Sequence, residues 1–283
     1  RSTLFPYTTL FRSPYSLQSV NVYDATALAL QTLSLSGDLT VNALAITQTG
    51  ALNVGGAASF TAAGGQSVAL GDTGNVFSGA VSFASRNSTS LQDVTVYDSA
   101  ALDLQALSVG GNLTVNAGSI TQSGAVTVAG IASFTAGQGQ SILLGDTGNS
   151  FAGTVGFASR GSGNLQNLTV YDATALDLQA LSLDGNLSVN AGSITQSGAL
   201  NIVGTTSLTA GAGQSVVLGD AGNLFGGAVS FASRSGNLQN ITVRDSTALE
   251  LQAIDINGNL AVTAQAITQS GALILYGDRK SVV

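Results

Sequence analysis

A 74-residue period runs through almost the whole chain and limits the folds open to it. Tyr23-Asp24, Tyr97-Asp98 and Tyr171-Asp172 stand 74 residues apart, and Arg244-Asp245 follows after 73. The same spacing carries Gln48, Gln122, Gln196 and Gln269 inside ITQ(S/T)G, and Phe83, Phe157 and Phe231 inside FASR. It also carries Asp72, Asp146 and Asp220 inside GD(T/A)GN, while Phe60 and Phe134 are followed by the apolar Leu208. A fixed period of this kind is the signature of an array in which each unit buries its apolar face against its neighbours.

Inside a unit the pattern is strand, turn, strand. Leu39-Thr40-Val41, Ala58-Ser59-Phe60, Ser67 to Leu70 and Val81-Ser82-Phe83 alternate apolar and polar residues, and Gly, Asn, Asp and Ser clusters separate them. Val, Ile, Thr and Phe favour strands, and no proline stands where it would block a ladder, Pro14 being the only one outside the adapter-like ends. A sandwich needs about seven distinct strands per domain and does not repeat in sequence, and a propeller blade needs only ~40–45 residues. The reading is an all-β, right-handed parallel β-helix (β-solenoid), each 74-residue unit holding about four coils of ~18 residues. Stacked Asn and Gln side chains are expected to hydrogen-bond along its axis.

The ends read differently. Arg1 to Ser13, RSTLFPYTTLFRS, resembles a translated sequencing adapter, and Asp278 to Val283, DRKSVV, matches the reverse complement of the same adapter. The expected organisation is a non-native segment at 1–13, one repeat array at 14–277 with units starting near 22, 96, 170 and 243, and a second non-native segment at 278–283. Both tails are expected to be irregular, having had no selection to pack. The array is then an internal fragment with two open ladder edges, and end-to-end self-association is expected.

Composition removes several chemistries. The chain has no His, Cys, Met or Trp. There is thus no imidazole base, thiolate nucleophile, disulfide or thiolate metal site. Only 8% of residues are charged, with 8 Lys+Arg against 15 Asp+Glu and a net charge of −7. Without the adapter-like ends, four Arg face fourteen acids, a net charge of −10. That balance argues against nucleic acid as a partner, and no apolar run is long enough for a membrane helix.

GNLTVNAGSITQSGAV (Gly111–Val126) and GNLSVNAGSITQSGAL (Gly185–Leu200) resemble the repeats of large exoproteins of Gram-negative bacteria. These are the filamentous-haemagglutinin-like proteins of two-partner secretion and the long autotransporter adhesins. The resemblance covers nearly all of 14–277, but its motifs are structural. It implies a secreted or surface-displayed shaft, exported by an outer-membrane transporter, with glycans or surface receptors met through other regions.

Each motif residue has a functional and a plainer reading. The repeated aspartates, Asp24, Asp98, Asp172 and Asp245 with Asp72, Asp146 and Asp220, suit paired-carboxylate catalysis. An active site needs one special place, however, and Asx-turns use the same residue. Gly71-Asp72-Thr73-Gly74-Asn75 is a poor match to calcium-binding repeats and supplies few of the six to eight oxygens required. Arg86, Arg160 and Arg234 would form a line along the shaft that could meet an acidic glycan, or simply pair with nearby Asp. Tyr23, Tyr97 and Tyr171 could stack on sugars or against a corner. The expectation is therefore no catalytic, cofactor or metal site, with these Arg and Tyr columns as the candidate glycan contacts. The function expected is a structural shaft segment of a repeat adhesin, not an enzyme. The alternatives are a polysaccharide-active β-helix enzyme, which released sugar from acidic polysaccharides would reveal, and a matrix or functional-amyloid repeat, which dye-binding fibrils would reveal.

Overall fold

The computed structural model describes residues 17–87, 89–277 and 280–282, and 37 strands lie among them. The first unit contributes ten: β1 (Val20–Tyr23), β2 (Leu28–Leu30), β3 (Leu33–Leu35), β4 (Leu39–Asn42), β5 (Ile46–Gln48), β6 (Leu52–Val54), β7 (Ala58–Ala62), β8 (Val68–Leu70), β9 (Val76–Phe77) and β10 (Val81–Ser85). Every third strand stacks. β1, β4, β7 and β10 form one row, β2, β5 and β8 a second, β3, β6 and β9 a third, and every paired strand is parallel to its neighbour. The chain is a three-faced parallel β-solenoid.

The period-2 pattern sets the register. In the first row Val20, Leu39, Ala58 and Val81 lie over one another, and Val22, Val41, Phe60 and Phe83 form the next column in. Between them Asn21, Thr40, Ser59 and Ser82 point outward. The inward columns join into one continuous core, where Leu39, Val41, Phe60, Leu70 and Phe77 have no exposed surface. Phe60 stacks on Phe83 with ring centroids 5.8 Å apart and meets Phe77 edge-on at 6.0 Å. Corners are tight where glycines stack: a Cβ at Gly153 would sit 2.2 Å from the Gly130 carbonyl oxygen.

Ten strands over three faces make three and one-third coils, not four. A coil averages roughly 22 residues, longer than the ~18 expected from the runs alone. The difference comes from the turns around Gly64-Gly65 and 86–90, which add residues without adding strands. A consequence follows at once. The second unit opens with β11 (Val94–Tyr97), equivalent to β1, and β11 stacks on β8 rather than on the β1 row. β12 (Leu102–Leu104) then crosses the corner between β9 and β10: Ser99 N–H bonds to the Asn75 carbonyl just before it, and Leu104 pairs with Val81 at the start of β10. β13 (Leu107–Val109) lies over Leu91, an isolated bridge in the coil of β10. The third unit repeats the step, with Leu168 stacking over Ile142 in the β12 row. Equivalent residues of successive units therefore stand on successive faces, a third of a turn apart.

The adapter-like residues 1–13 lie outside the described residues, as do Asp278, Arg279 and Val283. Lys280–Val282, however, forms a strand in register with Leu260, Ala261 and Val262, contrary to the irregular tail expected. An open ladder edge presents unpaired N–H and C=O groups, and these template any extended segment that reaches them.

Candidate functional site

Three polar arrangements each occur three times along the described residues, and together they use nearly all the motif residues. The first joins ITQ(S/T)G to GD(T/A)GN. Asn75 is fully buried, and its Oδ1 accepts from Gln48 Nε2 and from Leu52 N–H, both at 2.8 Å. Its Nδ2 donates to Gln48 Oε1 at 2.9 Å and to the Leu70 carbonyl at 3.1 Å. Gln122 with Asn149 and Gln196 with Asn223 repeat this reciprocal amide pair. Hydrogen bonding between neighbouring coils was expected of Asn and Gln as like-on-like stacks. It occurs instead between unlike residues 27 positions apart, a spacing that recurs in three units and could have been read from the sequence.

The second arrangement is the joint between units. Asp98 and Asp172 have no exposed surface. Asp98 Oδ1 accepts from Ala100 N–H at 2.9 Å, closing an Asx-turn, and from Phe77 N–H of the preceding unit at 3.1 Å. Asp172 does the same with Thr174 at 2.9 Å and Phe151 at 3.1 Å, and Asp245 joins Thr247 and, at 3.4 Å, Phe225. Asp72, Asp146 and Asp220 close Asx-turns on Gly74, Gly148 and Gly222 at 2.7–2.8 Å. Both aspartate sets thus hold backbone N–H groups, the plainer reading of the motif. Burial pushes the Asp98 carboxyl above the ordinary aspartate range, against the Ala100 and Phe77 N–H bonds and the Arg160 charge. Asp24, in the first described unit, goes the other way: its bonds from Thr26 hold it below that range.

The third arrangement brings the candidate columns into contact with each other. Arg86 lies over the Tyr23 ring at 5.3 Å, Arg160 over Tyr97 at 4.7 Å and Arg234 over Tyr171 at 4.4 Å. Arg86 also donates from Nε to Asn42 Oδ1 and from Nη2 to the Asp24 carbonyl at 3.0 Å. Arg234 makes the same two bonds to Asn190 at 2.5 Å and to the Asp172 carbonyl at 2.7 Å. Arg160 donates to the Tyr97 hydroxyl and, at 2.5 Å, to the Ala117 carbonyl. Each arginine spans from the last strand of its unit back to the first. The arginines contact carbonyls and rings, not the Asp carboxylates expected. They also do not line up along the solenoid, since the strand of Tyr97 stacks in the β2 row and not in the row of Tyr23. Sequence reasoning missed Asn42 and Asn190, whose signal is their place in the same 74-residue period. In the fourth unit both halves change together, Arg244 standing for Tyr and Thr263 for Asn.

Cation–π contact at a partly exposed site contributes ~0.5–1 kcal/mol. A double-mutant cycle of Tyr97→Ala and Arg160→Ala is therefore expected to give a coupling of about 0.5–1 kcal/mol in urea unfolding followed by far-UV circular dichroism. Arg160→Lys should fall short of wild type, because an ammonium lacks the guanidinium's planar face and several donors. Additive single effects would show that the pair does not act as a clamp.

Shallow clefts of about 400 Å³ beside β10 and about 260 Å³ at the next joint are lined by hydroxyls and apolar groups such as Ser85, Thr127, Leu107, Ser159 and Leu181. Among the described residues there is no group of three or more acidic side chains placed to hold a metal ion, and no helix long and apolar enough to cross a membrane.

These features define a class: a parallel β-solenoid repeat protein whose motif side chains bind coil to coil. Four successive stretches, 17–84, 91–158, 165–232 and 238–279, match the family described as Repeats of unknown function (DUF5649), and the chain belongs to that family. The breaks between the matches coincide with the wide turns that follow Arg86, Arg160 and Arg234, where the one-residue difference in period also lies. No curated protein and no solved structure matches the chain.

Proposed function

We propose that the chain is a shaft: a rigid, non-catalytic segment of a repeat protein that is secreted or displayed on a cell surface. It holds other regions away from the membrane, where they meet glycans or receptors, and it reaches the surface through an outer-membrane transporter. The observation that carries this reading is the fate of the motif residues. The Gln–Asn pairs, the joint aspartates and the Tyr–Arg clamps are all engaged in holding coils together, and they recur without one privileged copy. A solenoid joined this way gains stability with each neighbour added, which suits a rod that must bear load along its axis. The resemblance of Gly111–Val126 and Gly185–Leu200 to exported adhesin repeats supports a surface or secreted location.

The test is to label cells that carry this coding sequence with an antibody raised against the folded array. Staining of intact cells, or recovery of the protein from the medium, is expected. Staining only after the cells are lysed would overturn the surface assignment.

A further inference from the structure

The aspartate that opens each unit occurs in this chain under two kinds of cover. Asp24 stands in the first described coil, partly exposed, and its carboxylate is held by the Thr26 N–H and hydroxyl at 2.8 Å each. Asp98 and Asp172 each sit on a complete preceding unit and are fully buried. In both, Oδ1 takes two backbone N–H groups, while Oδ2 is buried with no hydrogen-bond partner among the described residues. An ionised oxygen left in that position forfeits its hydration with no donor in return, whereas a protonated one is a neutral hydroxyl.

We propose that the joint below the second unit is closed by a neutral carboxylic acid, so that stacking that unit on the first takes up a proton at Asp98 and this joint is held most tightly at acid pH. The surroundings of Asp98 offer little that would keep the anion. Arg160 faces the site from the last strand of the unit, but its Nη groups go to the Tyr97 hydroxyl and the Ala117 carbonyl, and its buried Nε makes no hydrogen bond among the described residues. Tyr97 is the neighbouring residue in β11. Asp72, in the turn before β9, is turned to the Gly74 N–H, and Asp103 on β12 to the hydroxyls of Thr121 and Ser123. Burial raises the Asp98 carboxyl above its ordinary value of 3.8, whereas the uncovered Asp24 is lowered from the same value. The folded joint therefore binds a proton more tightly than the unfolded chain does. Its stabilisation is complete below 3.8 and is lost as pH rises through the raised folded value.

Two measurements on the whole chain test this. The side-chain carboxyl carbons of Asp98 and Asp24 are followed by NMR through an acid titration, and Asp98 is expected to titrate above the ordinary aspartate value with Asp24 below it. Thermal unfolding is then compared for wild type and Asp98→Asn across mildly acidic to neutral pH. Asparagine keeps the Oδ1 acceptor and is uncharged throughout, so the variant is expected to gain on wild type as pH rises. An Asp98 that titrates at or below Asp24, or variant and wild type midpoints that move in parallel, would overturn the proposal. Should Asp98→Asn not fold, the titration of the unmodified chain decides alone.

Discussion

Replacing Phe134 with alanine is expected to cost the array about 3–5 kcal/mol. Phe134 has no exposed surface and sits between two other rings, edge-on to Phe151 at 5.8 Å and stacked on Phe157 at 5.9 Å. Alanine leaves a void that the neighbouring coils cannot close, because their backbones are pinned by ladders above and below. The third unit supplies a control. Leu208 holds the equivalent place, fully buried and in register with Phe231. Phe134→Leu should therefore cost only about 1 kcal/mol, as hydrophobic swaps of similar bulk do. Urea unfolding of both variants, followed by circular dichroism, checks the pair. Equal losses would mean that the aromatic ring itself, and not apolar volume, is what the site requires.

The second large effect is expected at Asn149. Its side chain accepts from Val126 N–H and Gln122 Nε2 and donates to Gln122 Oε1 and the Leu144 carbonyl, at 2.8–3.0 Å. Alanine would strand a buried N–H, a buried C=O and half of a glutamine amide. Each such orphan costs ~1–3 kcal/mol, so a total of about 3 kcal/mol or more is expected. Asn149→Asp tests the donor side separately. A carboxylate keeps the acceptor for Val126 but points a negative oxygen at the Leu144 carbonyl, so it should be damaging at neutral pH and partly relieved in acid, where the carboxyl again donates. Hydrogen exchange at the Val126 amide localises both effects. Full protection of that amide in Asn149→Ala would show that Asn149 is not its partner in solution.

Much of this architecture was legible in the sequence, and the parts that were not share a cause. Alternation in LTVN, ASFTA and VSFAS marks strands and their inward faces, and the Asp-x-Thr/Ala and Asp-x-Gly motifs mark turns. Both are local, set by residues within a few positions of one another. The number of coils per unit is not local. It depends on how many residues the turns around Gly64-Gly65 and 86–90 absorb, and no residue type encodes that length. An error of two-thirds of a coil then moves every later unit to a different face. For that reason Arg86, Arg160 and Arg234 read as one line and do not form one. The Tyr–Arg contact was hidden in the same way, because its partners lie 63 residues apart and meet only when the two intervening coils are stacked in the right register. The burial of Asp98 beside the exposure of Asp24 is a property of having a neighbour below, and identical motif letters cannot carry it.

The fractional coil count also ties reach to direction. One more unit lengthens the rod by about 16 Å at ~4.8 Å per rung and, before any twist of the coil itself, swings its far end through a third of a turn. Gain or loss of a unit by recombination between such similar repeats would re-aim any region attached to the far end of the array. Only changes by three units, about 48 Å, return it to the same azimuth. Length in this family is thus a compass setting as well as a measure of distance.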